Sequence, residues 1–341
     1  MLKKVLLALI IIVALAAAVA YFLFFTSATS FSGKSRYFYI PTDNATKAYV
    51  LKELTDSSIT SRVEIFSMVA DRSGLWTEIK PGRYEIRQGA NIIQMVRLLK
   101  NGTQSPVRLV INKFRTKEDM AKRLGLLFEP DSLQFIQFLN SPDSLSKMGL
   151  DTNTAMTMVI PNTYSVFWNT SANRLYHKLF SESASFWTSE RIAKAGKLGL
   201  NKEQVYTLAS IVEEESNKND EKPIIASVYL NRLKKNMRLS ADPTVKFALK
   251  DFGIKRIRFK HISESAASPY NTYRNNGLPP GPICTPSIKT IDAVLDAAET
   301  DYLFFCAKPD FSGYHSFASN EKDHFKNAAA YQKALDSLLL K

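Results

Sequence analysis

The chain has 341 residues, of which 45% are hydrophobic and 23% are charged. This composition is that of a globular protein with room for two or three domains, and it argues against wholesale disorder. Lysine and arginine number 45 against 32 aspartates and glutamates, and the net charge of +13 suits an anionic partner without choosing among lipid, glycopolymer and nucleic acid.

An uncharged apolar segment follows the first four residues. Residues 5–25 carry no charged side chain. As a helix, this segment is also long enough to cross a bilayer whose hydrocarbon layer is ~30 Å thick. A cleaved signal peptide is the alternative, because Ala18-Val19-Ala20 resembles a cleavage site. The apolar run continues to Phe25, however, and favours an uncleaved transmembrane anchor. Lys3 and Lys4 then favour a cytoplasmic position for residues 1–4, with the rest of the chain outside the cytoplasm.

Strands and helices alternate after residues 26–36, a polar segment that we expect to be a tether. We predict strands at 37–40, 83–86 and 107–111 and helices at 45–54, 63–70 and 91–100. Asn101-Gly102 has the composition of a helix C-cap, and Thr116 that of an N-cap. These elements predict a small α+β module over residues 37–112 and a helical connector over residues 113–150.

The part of the chain from 151 to 341 is rich in turn residues mixed with polar and aromatic ones. Such segments occur at 161–164, 242–244, 268–273 and 277–282. Loops of this kind on a rigid scaffold often carry binding sites, although each alone is more simply explained as a rigid turn.

The helix predicted over Val205–Glu215 ends in three consecutive glutamates. Apolar residues between 205 and 212 form one stripe, which Glu215 continues, whereas Glu213 lies beyond its edge and Glu214 points away. A carboxyl at the end of a buried face is costly to ionise, so its pKa should rise and it could serve as a general acid. The alternative is an ordinary solvated helix end.

The cysteines and histidines give no sign of a metal or cofactor site. Cys284 and Cys306 form neither a disulfide framework nor a metal-binding pattern, and we interpret both as packing residues with a bridge as the alternative. His177, His261, His315 and His324 show no metal-binding spacing. We therefore expect no metal and no cofactor.

Several segments, taken in order, resemble the endolytic murein transglycosylase family, also called MltG or YceG-like. The resemblance covers nearly the whole chain. Its motifs are Lys80–Tyr84, Pro161–Tyr164, Leu208–Glu215, Val228–Leu233, Met237–Val245, Ser268–Tyr273, Gly277–Pro282 and Gly313–Phe317. Each motif is short, but their shared order makes coincidence implausible.

The resemblance implies an α+β protein with an N-terminal transmembrane helix, a LysM-like module and a YceG-like catalytic domain. Members cut peptidoglycan glycan strands internally, between N-acetylmuramic acid and N-acetylglucosamine, and leave 1,6-anhydromuramic ends without using water. The implied location is the inner membrane with the catalytic domain in the periplasm, and the implied partners are glycan strands, peptidoglycan synthases and divisome proteins.

The family's catalytic glutamate falls on Glu215 in this sequence. The remaining motif side chains are expected to hold sugar and acid in place, with tyrosines on pyranose faces and polar groups on N-acetyl, hydroxyl or carboxylate groups. These candidate binding residues are Asn231, Arg232, Asp242, Thr244, Tyr270, Asn271, Thr272, Tyr273 and His315.

Three places depart from the family pattern. One is Cys284–Ser287, where an Asn-Pro-Gly-like turn is more usual, and we attach no functional meaning to it. Asn162 stands where the family turn usually has an aspartate, so this turn carries no charge at that position. Glu214 stands where a lysine is common, and a like charge there should raise the pKa of Glu215 further.

Three functions from different classes remain open. The lytic transglycosylase is favoured. A hydrolytic muramidase would use Glu215 with a second carboxylate such as Asp242. A membrane-tethered peptidoglycan-binding scaffold would lack catalysis altogether. A nucleic-acid role fits only the net charge, and the anchor argues against a genomic one.

Overall fold

The computed structural model describes residues 2–339. The helices are α1 Leu2–Phe25, α2 Lys47–Asp56, α3 Val63–Ser73, α4 Ile92–Asn101, α5 Lys117–Gly125, α6 Ser132–Leu139, α7 Pro142–Ser146, α8 Ala172–Phe186, α9 Ser189–Lys197, α10 Lys202–Glu215, α11 Lys222–Lys234, α12 Asp242–Leu249, α13 Phe259–Glu264, α14 Ile288–Leu295 and α15 Glu321–Leu339. The strands are β1 Ser35–Ile40, β2 Gly82–Arg87, β3 Val107–Val110, β4 Thr163–Val166, β5 Phe304–Ala307 and β6 His315–Ala318. The predicted α+β class is therefore confirmed.

The chain divides into two compact units. Unit 1 comprises residues up to Leu109 together with Leu127–Pro130 and Ser165–Ser171. Unit 2 comprises Val110–Leu126, Asp131–Tyr164 and the residues from Ala172 onward. Most of the segment expected as a connector, residues 113–150, thus belongs to unit 2.

Unit 1 is built around the antiparallel pair β1 and β2. Their register sets Phe38 opposite Tyr84 and Ile40 opposite Gly82, and both Phe38 and Tyr84 are buried. A side chain at Gly82 would collide with Gln104, and its positive φ of 148° also favours glycine. Apolar faces of α2, α3 and α4 complete the core.

Helix α1 is the one helix, among the residues that the structure describes, that is long and apolar enough to cross a membrane. It has 24 residues, which corresponds to ~36 Å at 1.5 Å per residue. None of its described side chains is buried. Its carboxyl end is bound to unit 1, because Arg62 donates to the carbonyls of Phe22 and Leu23.

Residues 26–36 do not have the character of a loose tether. Ala28 and Phe31 are buried in the core of unit 1. The amide of Ala28 donates to the carbonyl of Ala90, and the amide of Ser30 donates to that of Ile59. The polar composition predicted a tether, and it gave no sign that two apolar side chains in this segment pack into the core of unit 1.

Unit 2 is mainly helical, with α10 running through its core. Every residue from Val205 to Val212 is buried, and α11 and α14 pack against this helix. The amino end of α10 is closed by a capping box between Asn201 and Gln204. The antiparallel pair β5 and β6 lies beside α15. The contacts with α11 and α14 fix the position of α10 within unit 2.

Candidate active site

The three glutamates that end α10 have three separate environments. Glu213 accepts hydrogen bonds from Lys222 and Ser287, at 2.9 and 3.0 Å, and from Thr290. Burial alone would favour its neutral form, but the bonds from Thr290 and Lys222 outweigh burial and lower its pKa. Glu213 is thus a partly buried, paired carboxylate, and the alternative of a solvated helix end does not describe it.

Glu214 is also paired. Lys113 and Arg115 contact its two carboxylate oxygens at 2.5 and 3.1 Å. Burial opposes ionisation here too, but both cations together lower the pKa of Glu214. Because its charge is compensated, Glu214 is not what raises the pKa of Glu215, contrary to the expectation from sequence.

Glu215 lies in the wall of a cavity of about 250 Å³. The hydroxyl of Tyr229 donates to Glu215 Oε1 at 2.6 Å. Burial raises the pKa of Glu215 to about 7 and the charge of Asp242 adds to this effect, whereas the Tyr229 hydrogen bond opposes it. The carboxyl can therefore hold a proton near neutral pH, as a general acid must.

The cavity brings together five of the ten predicted site residues. Its lining consists of Glu215, Tyr229, Arg232, Leu239, Ser240, Asp242, Tyr273, Phe305, Cys306, Ala307 and His315. Tyr273 donates to Asp242 Oδ1 at 2.6 Å. Arg232 donates to the carbonyls of Leu303 and Leu239, at 2.6 and 2.7 Å. Two carboxyls, a guanidinium and an imidazole thus face one space.

The other five predicted residues are not in the cavity lining. Thr244, Asn271 and Thr272 are enclosed, with exposed fractions of 0%, 0% and 1%. Thr272 accepts from the amide of Ala241, and Asn271 accepts from the amide of Tyr273. These contacts set the backbone positions from which the neighbouring Asp242 and Tyr273 reach the cavity.

Asn231 and Tyr270 pack elsewhere around the site. Asn231 donates to the carbonyls of Thr300 and Tyr302, at 2.8 and 3.0 Å, and so holds the segment leading into β5. The ring of Tyr270 lies 4.7 Å from that of Phe247, between ring centroids. The structure therefore gives Asn231 a bracing contact and Tyr270 a packing contact.

Tyr229 and Glu221 are site residues that the sequence did not single out. Tyr229 lies within the apolar pattern of α11, so the sequence predicts that its ring is buried in the core. A buried tyrosine hydroxyl needs a partner, which is the one signal that could have pointed to it. Glu221 is 5% exposed and contacts His315, a pairing that depends on tertiary structure alone.

Neither cysteine forms a disulfide. Cys284 is buried, and Cys306 is half-buried in the cavity lining. Burial raises the pKa of both thiols. Within residues 2–339, His, Cys, Asp and Glu side chains form no cluster of three that could hold a metal ion.

Comparisons with known proteins agree with this arrangement of parts. A family model described as "YceG-like family" matches residues 38–330. A YceG-like protein from Listeria monocytogenes, known from a crystal structure, is 28% identical with a TM-score of 0.56. That match covers 86% of this chain and 99% of the Listeria chain.

Two curated relatives carry the name "Endolytic murein transglycosylase". The one from Bacillus subtilis is 40% identical over 138 residues, which cover 40% of this chain and 36% of the relative. The one from Streptococcus pneumoniae is 25% identical, with 91% of this chain and 64% of the relative covered. The matches thus span less than two thirds of either curated relative. Since the family model covers most of the chain, this protein belongs to the YceG-like family.

Proposed function

We propose that this protein is a membrane-anchored endolytic lytic transglycosylase that cleaves the bond between N-acetylmuramic acid and N-acetylglucosamine within glycan strands. The observation that carries the proposal is the cavity in which Glu215, hydrogen-bonded by Tyr229, has its pKa raised to about 7. The names of the curated relatives support the same activity.

The chemistry requires an acid and an internal nucleophile. Protonated Glu215 donates its proton to the glycosidic oxygen, which leaves with N-acetylglucosamine as the bond to C1 of the muramic acid breaks. The 6-hydroxyl of the same muramic acid attacks C1 and forms the 1,6-anhydro ring. Because this nucleophile is already tethered to the reacting centre, neither water nor a covalent enzyme intermediate is needed. A single carboxyl is sufficient for such a reaction if the ionised Glu215 later takes the proton of the 6-hydroxyl.

The rest of the lining supplies contacts for a sugar. Tyr273 and Phe305 offer ring surfaces, and Asp242 and Ser240 offer polar groups for hydroxyls or N-acetyl groups. Burial lowers the pKa of Arg232, although an arginine remains charged at neutral pH. Arg232 is thus suited to a carboxylate of the muramyl lactyl group or of a stem peptide.

Unit 1 is proposed to be a LysM-like glycan-binding module. It contains a cavity of about 640 Å³ that lies between β2, α4 and residues 103–106. Polar side chains of Glu85, Arg87 and Gln104 line it, beside apolar Met95 and Leu98. A mixed polar and apolar surface of this kind suits a sugar chain, and it would hold a strand while unit 2 cuts.

Helix α1 is proposed to be a single-pass anchor in the inner membrane, with the amino terminus in the cytoplasm and both units in the periplasm. Its length and lack of burial support this role. An enzyme at this location would meet nascent strands as they are made, and peptidoglycan synthases and divisome proteins are its proposed partners.

The decisive experiment compares the glycan products of the wild type with those of Glu215→Gln. Purified glycan strands are digested, and their ends are identified by mass spectrometry. We expect internal fragments with anhydromuramic ends from the wild type and none from Glu215→Gln. Intact strands with the wild-type protein would instead support a non-catalytic scaffold.

A hydrolytic muramidase is the second candidate, because Asp242 lies in the same cavity as Glu215. Two carboxylates facing one sugar are the usual arrangement for hydrolysis. Tyr273 already occupies one oxygen of Asp242, which favours a binding role over activation of water. Reducing muramic ends in the same digest, with loss of activity in Asp242→Asn, would establish hydrolysis.

A further inference from the structure

We infer that His315, oriented by the buried carboxylate of Glu221, is the general base that takes the proton of the 6-hydroxyl. This inference rests on the proposed function and reassigns the second of its two proton transfers, from Glu215 to His315. The supporting observation is a contact between two residues far apart in sequence, one at the amino end of α11 and the other at the start of β6.

Glu221 holds His315 at two points. Glu221 Oε1 accepts from the backbone amide of His315 at 2.7 Å, and Glu221 Oε2 lies 3.0 Å from His315 Nδ1. Glu221 is 5% exposed, and the His315 side chain is 15% exposed. Ser216, which follows α10 directly, lies 3.4 Å from the same oxygen Oε2. The carboxylate therefore ties the ring to the end of the helix that carries Glu215.

This contact fixes the position of the proton on the ring. A carboxylate only accepts hydrogen bonds, so Nδ1 is the nitrogen that carries hydrogen in the neutral imidazole. The lone pair of the neutral ring then resides on Nε2. Within the described part of the chain, Nε2 has no hydrogen-bond partner, whereas Nδ1 faces Glu221. A ring held in one orientation, with a lone pair that accepts no hydrogen bond, can act as a base.

The ring stands in the wall of the cavity that holds Glu215. Phe305, on the neighbouring strand β5, packs edge-on against the ring at 5.3 Å between ring centroids. Titratable and charged groups around the same space are Glu215, Tyr229, Arg232, Asp242, Tyr273 and Cys306, with Glu221 behind the ring. A sugar in the cavity would therefore lie between an acid, Glu215, and a base, His315.

The reaction then balances without a co-reactant. The proton of Glu215 passes to the departing glycosidic oxygen, and the C1–O bond breaks. The bond between O6 and C1 forms while the O6 proton passes to His315 Nε2. The resulting imidazolium and the Glu215 carboxylate are both restored when that proton passes from His315 to Glu215, directly or through water. Glu221 stabilises the imidazolium and is a positioning residue.

The test separates a base from a purely structural histidine. His315→Asn keeps a side-chain donor for Glu221 but has no second ring nitrogen. We expect it to retain the wild-type melting temperature and KM, while kcat for anhydro-end formation falls by about 100-fold or more. His177→Asn is the matched control, because His177 is exposed in α8 and packs on Phe138, and its kcat should equal that of the wild type.

Chemical rescue gives the second readout. His315→Gly leaves space for a ring, so added imidazole should restore much of its kcat. The same imidazole should not restore Glu221→Gln, because His315 still occupies its place there. In that variant the glutamine amide can donate to Nδ1, which favours the tautomer with hydrogen on Nε2. Nitrogen NMR of the full chain in micelles, with labelled histidine, should show hydrogen on Nδ1 of His315 in the wild type and a changed signal in Glu221→Gln.

The inference is overturned if His315→Asn keeps the wild-type kcat, if it changes only KM, or if imidazole leaves His315→Gly inactive. These outcomes are distinct from failure of the proposed function. If the proposed function is wrong, the wild type itself will produce no anhydro ends, or Glu215→Gln will be as active as the wild type.

Discussion

At the residue scale, the site depends on one carboxyl, that of Glu215, which stays protonated near neutral pH. Glu213 and Glu214 have cations beside them, and each has a lowered pKa. Glu215 has a tyrosine hydroxyl instead, and Lys246 and Arg232 offset burial only in part. Three adjacent carboxyls thus differ in charge at neutral pH because their partners differ.

The raised pKa of Glu215 predicts a cost in stability above neutral pH. The folded chain holds a proton on Glu215 up to about pH 7, whereas the unfolded chain releases it near the ordinary value of 4.5. Its contribution to the free energy of unfolding is therefore largest below pH 4.5 and is lost as the pH rises to about 7, by on the order of 3 kcal/mol. The glutamine in Glu215→Gln cannot ionise, so that variant lacks this pH-dependent contribution.

We expect Glu215→Gln to be more stable than the wild type at pH 8 and to match it near pH 4.5. Urea unfolding at a series of pH values measures the difference. Parallel curves for the two proteins at every pH would show that Glu215 ionises as it does in the unfolded chain.

Tyr229→Phe should alter the pH dependence of catalysis. The Tyr229 hydrogen bond favours the ionised form of Glu215 and lowers its pKa, so its loss should raise that pKa further. Because the acid must be protonated, the rate of the wild type should fall as the pH rises past about 7, and this fall should move to higher pH in Tyr229→Phe. Tyr206→Phe is the control, since Tyr206 is buried on α10 but bonds the carbonyl of Val159.

At the element scale, the carboxyl end of α10 is held by two other helices. Lys222 of α11 and Thr290 of α14 both donate to Glu213, and the side chain of Lys222 is 5% exposed. These contacts close the helix with a buried ion pair, which offsets the unfavourable position of three acidic groups at the negative end of the helix dipole.

Lys222→Met should be destabilising, by about 3 kcal/mol, because it leaves the partly buried Glu213 without its cation. Adding Glu213→Gln should recover much of this loss, since the unpaired charge is then removed. Lys52→Met, which breaks an exposed pair with Asp56, should have no measurable effect. Urea unfolding followed by circular dichroism compares these variants, and equal losses for Lys222→Met and Lys52→Met would contradict the role of the buried pair.

Local patterns predict some of these elements and contacts well. The strands at 37–40 and 83–86 were predicted from two short β-rich runs, although their pairing was not. The caps at Thr116 and Gly102 follow their residue types. Glu215 was expected from its place on the apolar stripe. Cys306, interpreted from sequence as a packing residue, lies on a strand that is only half-buried, because Phe305, Cys306 and Ala307 line the cavity.

Contacts between distant segments could not be predicted in this way. Tyr229, Glu221 and Lys222 reach their partners across helices whose packing no local period encodes. Thr244, Asn271 and Thr272 share motifs with cavity residues, so motif membership cannot separate groups that face the cavity from those that brace it.

At the scale of the whole molecule, α1 should decide where the protein resides. An arginine in the middle of a spanning helix costs about 2.5–3.5 kcal/mol on insertion scales. We expect the wild type to stay in the membrane fraction after alkaline extraction and Leu15→Arg to be partly released. Leu126→Arg alters a leucine that is 73% exposed in unit 2 and should behave as the wild type. Equal retention of all three proteins would argue against a spanning α1.

The packing of residues 26–36 also limits how far unit 1 can lie from α1, the proposed anchor. Buried Ala28 and Phe31, together with the bonds from Arg62 to the end of α1, leave no slack between the helix and unit 1. Residues added within this segment would disturb a core and would not act as a spacer. On the proposed topology, unit 1 would therefore be confined to the layer of cell wall closest to the lipid.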